Sequence, residues 1–279
     1  MRATARKNMT RRSASIPARL ARTGALHLIP VYYLLLLSDL GREGIEHSGS
    51  CRFADHIYAG VPSGVTALGR WIDARLLAMP APCAFCGRYQ RAQVAARRAL
   101  QMSARRPGPL RILAVPCGIP RDMADLARTL HTDDPALLAR IEYHGMDIDP
   151  AVLCLARAFM SDLPIAATHY HLGDALSANH YPDTTFHVVV STGLGDFLDD
   201  AELEALCANV HRVLEPGGTF YTSASAKDPQ SDTLLRMAEL LPHYRTARQL
   251  EAILRRTKWS RMDLDVHATG LQTFVTAIK

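Results

Sequence analysis

Beyond residue 109 the chain alternates short apolar runs with amphipathic stretches. RILAVPCG, IEYHGMDID, IAATHYHLGDA, FHVVVSTG and TFYTSASA read as five strands. RDMADLARTL, PAVLCLARAFM and DAELEALCANVHRVL carry apolar residues at helical spacing between them. FHVVV shows no polar alternation, which predicts a strand covered on both faces in the middle of a sheet. Pro150 suits a first helical turn with Asp149 as its cap, and the Glu-Pro-Gly-Gly run at 215–218 is expected to end the preceding helix. Two last strands, RMDLDVHA and LQTFVTAIK, close the chain. Strand–helix alternation implies right-handed crossovers and a parallel sheet with helices on both faces, an α/β fold. Ligands then bind beyond the carboxyl ends of the strands.

Before the ARRPGP turn at 104–109 the pattern is helical. LIPVYYLLLLSDLG predicts a helix ending at a glycine cap, Gly41, and SGVTALGRWIDARLLAM predicts another, with Trp71 expected in its core face. RYQRAQVAARRALQMSARR, rich in alanine and arginine, reads as a solvent-facing helix. The expected organisation is a basic, disordered leader at 1–24, a helical extension at 25–106 and an α/β domain at 107–279.

Charge changes this picture little. The 279 residues carry a formal net charge of +5. The excess sits in the leader (Arg2, Arg6, Lys7, Arg11, Arg12, Arg19, Arg22), and no acid precedes Asp39. In the body acids slightly outnumber bases, which argues against a nucleic-acid partner. The apolar run ALHLIPVYYLLLL is shorter than the roughly 20 residues a bilayer requires. A tail leading into a packed helix is therefore expected, with targeting or membrane association as the alternative. Cys154 and Cys207 fall at apolar helical positions and are expected in the core. Cys83 and Cys86 form a lone CxxC with no second cysteine or histidine pair, so no metal site is expected. That cysteine usage fits a reducing, cytoplasmic compartment.

The carboxyl ends of the predicted strands carry a coherent set. Pro116-Cys117-Gly118 follows the first, where glycine lets a ligand approach the backbone. Asp147, with Ile148 beside it, follows the second and is placed to accept two ribose hydroxyls. Asp174-Ala175 follows the third, where a carboxylate can meet an adenine amine. Ser191, Thr192, Gly193 and Gly195 follow the fourth and make a floor of small residues. In that order the parts describe an adenosine site. Taken singly, Asp147 also fits a solvated loop acid, Asp174 an N-cap and the glycines a turn.

The order resembles the class I S-adenosylmethionine-dependent methyltransferases over residues 110–279. ILAVPCGIPRDMADLA is similar to their first motif and YHGMDIDPAVLCLAR to the second. HLGDALSANHYPDTTFHVVVSTGLGDFLDD is similar to the third and fourth, and VHRVLEPGGTFYTSA to the late motif. The resemblance implies a Rossmann-like, seven-stranded, mostly parallel sheet with an antiparallel C-terminal strand, and S-adenosylmethionine as cofactor. It places the ribose on Asp147, the adenine on Asp174 and Ala175, and the methionine part over Gly118. His187 departs from a common Asp. The first motif departs further: its usual acid is Ala114, its first glycine Pro116 and its third glycine Pro120. Asp122, in the next helical turn, is the candidate replacement for the lost acid. FADHIYAGVPSGVTALGRWIDARLL resembles a segment that precedes the domain in bacterial methyltransferase-like proteins. Such a segment is expected to contribute to the acceptor pocket, with Tyr58, Arg70 and Trp71 to watch.

These features imply a methyltransferase acting on a small-molecule acceptor, a secondary metabolite or lipid-like compound. The alternatives are a cofactor-binding regulatory domain without transfer activity and a nicotinamide oxidoreductase. The absence of GxGxxG after the first strand counts against the last. No catalytic residue is assigned. Asp196, His169 and His171 are candidate bases by position alone.

Overall fold

The computed structural model describes residues 16–47 and 49–279. The chain divides into two units: residues up to Cys86 together with Lys227–Leu241, and Gly87–Ala226 together with Pro242–Lys279.

The second unit is built on a seven-stranded sheet. Its strands are β1 (Leu110–Ala114), β2 (Ile141–Asp147), β3 (Ala167–Leu172), β4 (Phe186–Ser191), β5 (Leu214–Ser225), β6 (Arg261–Val266) and β7 (Gln272–Ile278). They lie in the order β3-β2-β1-β4-β5-β7-β6. The first five are mutually parallel, and β7 runs antiparallel to both β5 and β6. This is the Rossmann-like sheet the sequence implied. Residues alternate between two faces along each strand. Ile112, Ala114, Val188 and Val190 enter one core, with Met123, Leu126 and Leu130 of the helix Arg121–Asp133. Leu113 and Val189 enter the other, with Leu206, Val210 and Leu254 from the helices Asp200–Val213 and Ala247–Leu254. Every residue of β4 is buried, as its unbroken apolar run predicted.

Three local expectations are corrected here. The arginine-rich helix is not solvent-facing all round: within Pro80–Ser103, Ala92, Ala96, Ala99 and Leu100 are buried in the sheet's core. Its small side chains allow that close packing, and its arginines had masked the stripe. Cys207 is buried, but Cys154 is exposed, because its helix turns a different stripe inward. The Glu-Pro-Gly-Gly run does follow a helix end, at Val213, yet it lies inside β5. The β4–β5 register slips there, from Phe186↔Leu214 to Val188↔Thr219.

The first unit is helical: Ile16–Arg22, Leu28–Leu35, Asp39–Glu46, Cys51–Ala59, Ala67–Leu77 and Pro229–Met237. Asp73 is fully buried and organises it. Its carboxylate accepts Ser38 Oγ at 2.6 Å, the Leu40 amide at 2.8 Å and the Ser63 amide at 3.2 Å. His56 Nε2 lies 2.8 Å away. Burial alone would raise the pKa of Asp73, but these bonds outweigh it and hold the group below its ordinary value. Gly41 does not cap a helix. It lies inside Asp39–Glu46, whose N-cap is Ser38, and a Cβ there would stand 2.5 Å from the Leu35 carbonyl oxygen. Trp71 is 57 % exposed rather than in the core. Ile16 and Leu20 are buried in a helix, so that part of the leader is packed; residues 1–15 lie outside the described residues. An apolar pocket of about 100 Å³ sits within this unit, between Leu40, Phe53, Ile57, Leu76 and Leu235. No described helix is long and apolar enough to cross a membrane.

Candidate functional site

Register brings the strand ends together. Ala114 pairs with Gly145 on one side and Val190 on the other, so β1, β2 and β4 finish side by side. Between β1 and β4 the strand order reverses, which opens the crevice where such sheets bind ligands. The loop after β1 is fastened across its neighbours by Val115 N to Val190 O at 2.9 Å and Cys117 N to Met146 O at 2.8 Å. Cys117 is buried, Pro116 and Gly118 half-buried, and Gly118 takes φ +51°. Its amide donates to Asp147 Oδ2 at 3.3 Å.

Asp147 is buried at the end of β2, and its Oδ1 accepts the Asp149 amide at 3.0 Å. Burial pushes its pKa up, and these amide donors act against that push. Ile148, next to it, is 59 % exposed, an apolar face beside a carboxylate. The Asp147 carbonyl accepts the Gly173 amide at 3.0 Å, which ties in the loop after β3. In that loop Asp174 Oδ1 accepts the Leu176 amide, and the Ala175 carbonyl accepts Tyr181 and Asn209. Asp174 thus braces its own turn with one oxygen. After β4, Ser191 is buried, Thr192 is half-buried and Gly193 takes φ +84° before the short turn Leu194–Phe197. Ser191 Oγ has no hydrogen-bond partner among the described residues.

Other charged groups at these strand ends have separate roles. Asp196 is buried and accepts both the Ser225 amide and Ser225 Oγ at 2.8 Å, so it ties the β4 loop to the end of β5. Burial raises its pKa. His171 stacks with His144, whose Nδ1 lies 3.0 Å from His171 Nε2, and the His169 ring lies tilted by 31° against His144. Both are thereby engaged with a neighbouring strand. His187 Nδ1 accepts the Arg111 amide at 3.1 Å and its Nε2 lies 3.4 Å from Glu215, a brace between strands. Asp122 is pushed up to about 6 by burial, with Arg88 acting in the opposite sense. The Arg121 guanidinium lies over the Phe159 ring at 5.2 Å. In the first unit Tyr58 is half-buried and Arg70 exposed.

Arg88 escaped the sequence reading. Only 3 % of it is exposed, and its Nη1 lies 3.8 Å from Asp196 Oδ2. A signal was present: Arg88, Ala92, Ala96 and Ala99 follow one another at helical spacing, so the arginine heads the buried stripe.

The residues fit S-adenosylmethionine. The carboxylate of Asp147 suits a ribose diol, and exposed Ile148 suits an adenine face. The buried, unpartnered Ser191 hydroxyl and the left-handed glycines 118 and 193 leave polar contacts and backbone open to a ligand. Comparisons with known proteins agree. The family described as "Methyltransferase domain" matches residues 112–218. No curated protein matches the chain. Among solved structures, a possible exported protein of Bordetella parapertussis is similar at 23% identity, TM-score 0.76, over 98% of this chain and 95% of that one. The CMeT domain of the citrinin polyketide synthase is similar at 18% identity, TM-score 0.57, over 90% and 66%. The magnesium protoporphyrin IX methyltransferase of Synechocystis PCC 6803, with bound SAH, is similar at 12% identity, TM-score 0.53, over 81% and 93%. With the matched domain, the strand-end carboxylate and the glycine turns all falling on one crevice, residues 112–218 are a methyltransferase domain, and the fold is the one shared with the S-adenosylmethionine-dependent methyltransferase of Synechocystis PCC 6803.

Proposed function

We propose that the protein methylates a small-molecule acceptor with an apolar portion, a lipid-like compound or secondary metabolite. The observation that carries the acceptor half is the pocket of the first unit, whose lining is apolar side chains and glycines apart from Ser231. Such a lining selects by burial of hydrocarbon. When bound, S-adenosylmethionine supplies a methyl group on a positively charged sulfur, which departs with the bonding electron pair. The chain's share of the work is alignment and exclusion of water. Asp147 and the Gly118 turn hold the adenosine, Asp174, Ala175 and Ile148 border the base, and Ser191, Thr192 and Gly193 floor the crevice beside Pro116 and Cys117. Asp196 is engaged at both oxygens by Ser225, and His169 and His171 pack against His144, so this reading assigns the proton acceptor to none of the three.

A cytoplasmic location belongs to the same proposal, supported by six unpaired cysteines. A second reading, a cofactor-binding domain without transfer activity, draws on the apolar Ala114 and the prolines of the first loop. Titration with S-adenosylmethionine, SAH and NAD tests the cofactor half: micromolar SAH binding is expected, and binding of NAD alone overturns it. Turnover of chain-bearing acceptors, with none on short polar ones, is the result expected for the acceptor half. Turnover restricted to polar acceptors overturns that half.

A further inference from the structure

From Ala25 to Ser38 the chain reads ALHLIPVYYLLLLS, with no Asp, Glu, Lys or Arg. The helix Leu28–Leu35 lies within this run. A helix apolar on every side belongs in a core. This one is packed on one side only. Tyr32 and Leu35 are buried, while Leu26, Tyr33 and Leu34 remain 60 %, 57 % and 46 % exposed. With the exposed Pro30 they recur at helical spacing and form an outer stripe. The Tyr33 ring meets the buried Tyr32 ring edge-on, 5.1 Å between centroids, which steadies it.

A second outer stripe belongs to the same unit. Val61, Val65, Leu68 and Trp71 are exposed. Leu68, Trp71 and Arg75 share one face of Ala67–Leu77, with the Arg75 guanidinium over the Trp71 ring at 5.3 Å. The chain just past the first helix touches the second: a Cβ on Gly69 would stand 2.1 Å from the Leu37 carbonyl oxygen.

Charge around these stripes has one sign. Among residues 16–86, Arg22, Arg52, Arg70 and Arg75 are exposed. The acids are not: Asp73 is buried, and Asp39, Glu43, Glu46 and Asp55 are half-buried. Asp39 pairs with Arg42, and Glu43 accepts Ser50 Oγ at 2.6 Å. Arg2, Arg6, Lys7, Arg11 and Arg12 add five positive charges upstream, with no acid among them. A second copy set symmetrically against this face would bring arginines against arginines. An anionic lipid surface suits both features: arginines meet phosphates, while aromatic and aliphatic side chains enter the boundary between headgroups and acyl chains.

We propose that the outer faces of Leu28–Leu35 and Ala67–Leu77 dock on an anionic phospholipid surface. Tyr33, Leu34, Leu68 and Trp71 enter the interface, and the exposed arginines hold phosphates. The protein lies on such a surface and does not cross it. Docking needs neither the cofactor nor the acceptor.

Flotation of the full chain with vesicles tests it. Binding to vesicles of phosphatidylglycerol and phosphatidylcholine in equal parts is expected, at least tenfold stronger than to phosphatidylcholine alone and weakened by salt. Tyr33→Glu combined with Trp71→Glu is expected to lower that affinity at least tenfold with an unchanged thermal transition, since both side chains are exposed. Arg70→Glu with Arg75→Glu is expected to reduce the preference for anionic vesicles at least threefold. Val94→Glu, at an exposed apolar position outside these helices, is expected to change binding less than twofold. No binding to anionic vesicles, or equal binding to both vesicle types, overturns the proposal. Undiminished affinity in the Tyr33 and Trp71 double variant also overturns it and assigns binding to the basic residues before Ile16. A wild-type dimer in sedimentation that the same variant loses overturns it in favour of a second copy.

Discussion

The Gly118 amide donates to Asp147 Oδ2 at 3.3 Å, which fixes the turn after β1 to the end of β2. This bond presets the two parts of the proposed adenosine site before any ligand arrives. It also explains how a loop with one glycine and two flanking prolines keeps its shape: Cys117 and Gly118 are held by β2, not by a glycine-rich sequence. Preset geometry lowers the ordering cost of binding.

Removal of that carboxylate should be the most damaging single change to binding. Hydrogen bonds to a charged acceptor contribute roughly 1.5–3 kcal/mol each. Two of them to a ribose diol correspond to about a hundredfold or more in affinity. Asp147→Ala is expected to lose SAH binding by at least that factor in calorimetry while keeping a cooperative thermal transition. Retention of micromolar affinity would place the ribose elsewhere.

Gly193 is the next sensitive position. Its φ of +84° costs an L-residue about 1–2 kcal/mol. An added Cβ would also press on Arg88 Nη1 at 3.3 Å. Gly193→Ala should lower both the unfolding free energy and SAH affinity, measured by urea titration and calorimetry. A variant as stable as the wild type would show that the loop relaxes to another conformation at no cost.

Asp73 should matter to stability alone. Asp73→Ala strands the Ser38 hydroxyl and the Leu40 and Ser63 amides, and a stranded buried donor costs about 1–3 kcal/mol. Loss of the helical unit's protection in hydrogen exchange is expected, with the sheet's protection retained. Uniform loss across both units, or none, is the contrary outcome.

The histidine stack gives a pH dependence whose direction follows from burial. His144 is lowered to about 3 by burial first, then by His169, His171 and Arg111. Unfolded, it takes a proton near 6.5; folded, it resists down to about 3. The unfolded chain therefore binds the extra proton in that window. The stability this group contributes is complete above pH 6.5 and is lost as the pH falls toward 3. His144→Phe should lose less stability than the wild type between pH 7 and 5 in parallel urea titrations. Equal losses would show that other groups set the slope.

Much of the fold was legible in the chain. Period-two and period-3.6 patterning determined the five parallel strands, their helices and the two closing strands, because local backbone geometry and burial obey the same periodicities, and the resemblance supplied the antiparallel direction. The identity of the strand-end residues 116–118, 147, 174 and 191–193 was legible as well, since topology alone sends those positions to one crevice. The helix Asp39–Glu46 was not, because Gly41 reads as a terminator until the Leu35 carbonyl is seen to need its missing Cβ. Trp71 and Cys154 sit on stripes that patterning assigned inward and packing turned outward.

The sequence by itself determined a Rossmann-like sheet and named the residues at its carboxyl edge, through periodicity, the order of its loops and a family resemblance. Only the tertiary structure decided how a first loop stripped of its acid is held, and which charges face it. Arg88 lies 34 residues before Asp122 and 108 before Asp196. The alanine stripe it heads marks it as inward-facing, but its charge acquires partners only when folding removes it from water beside them.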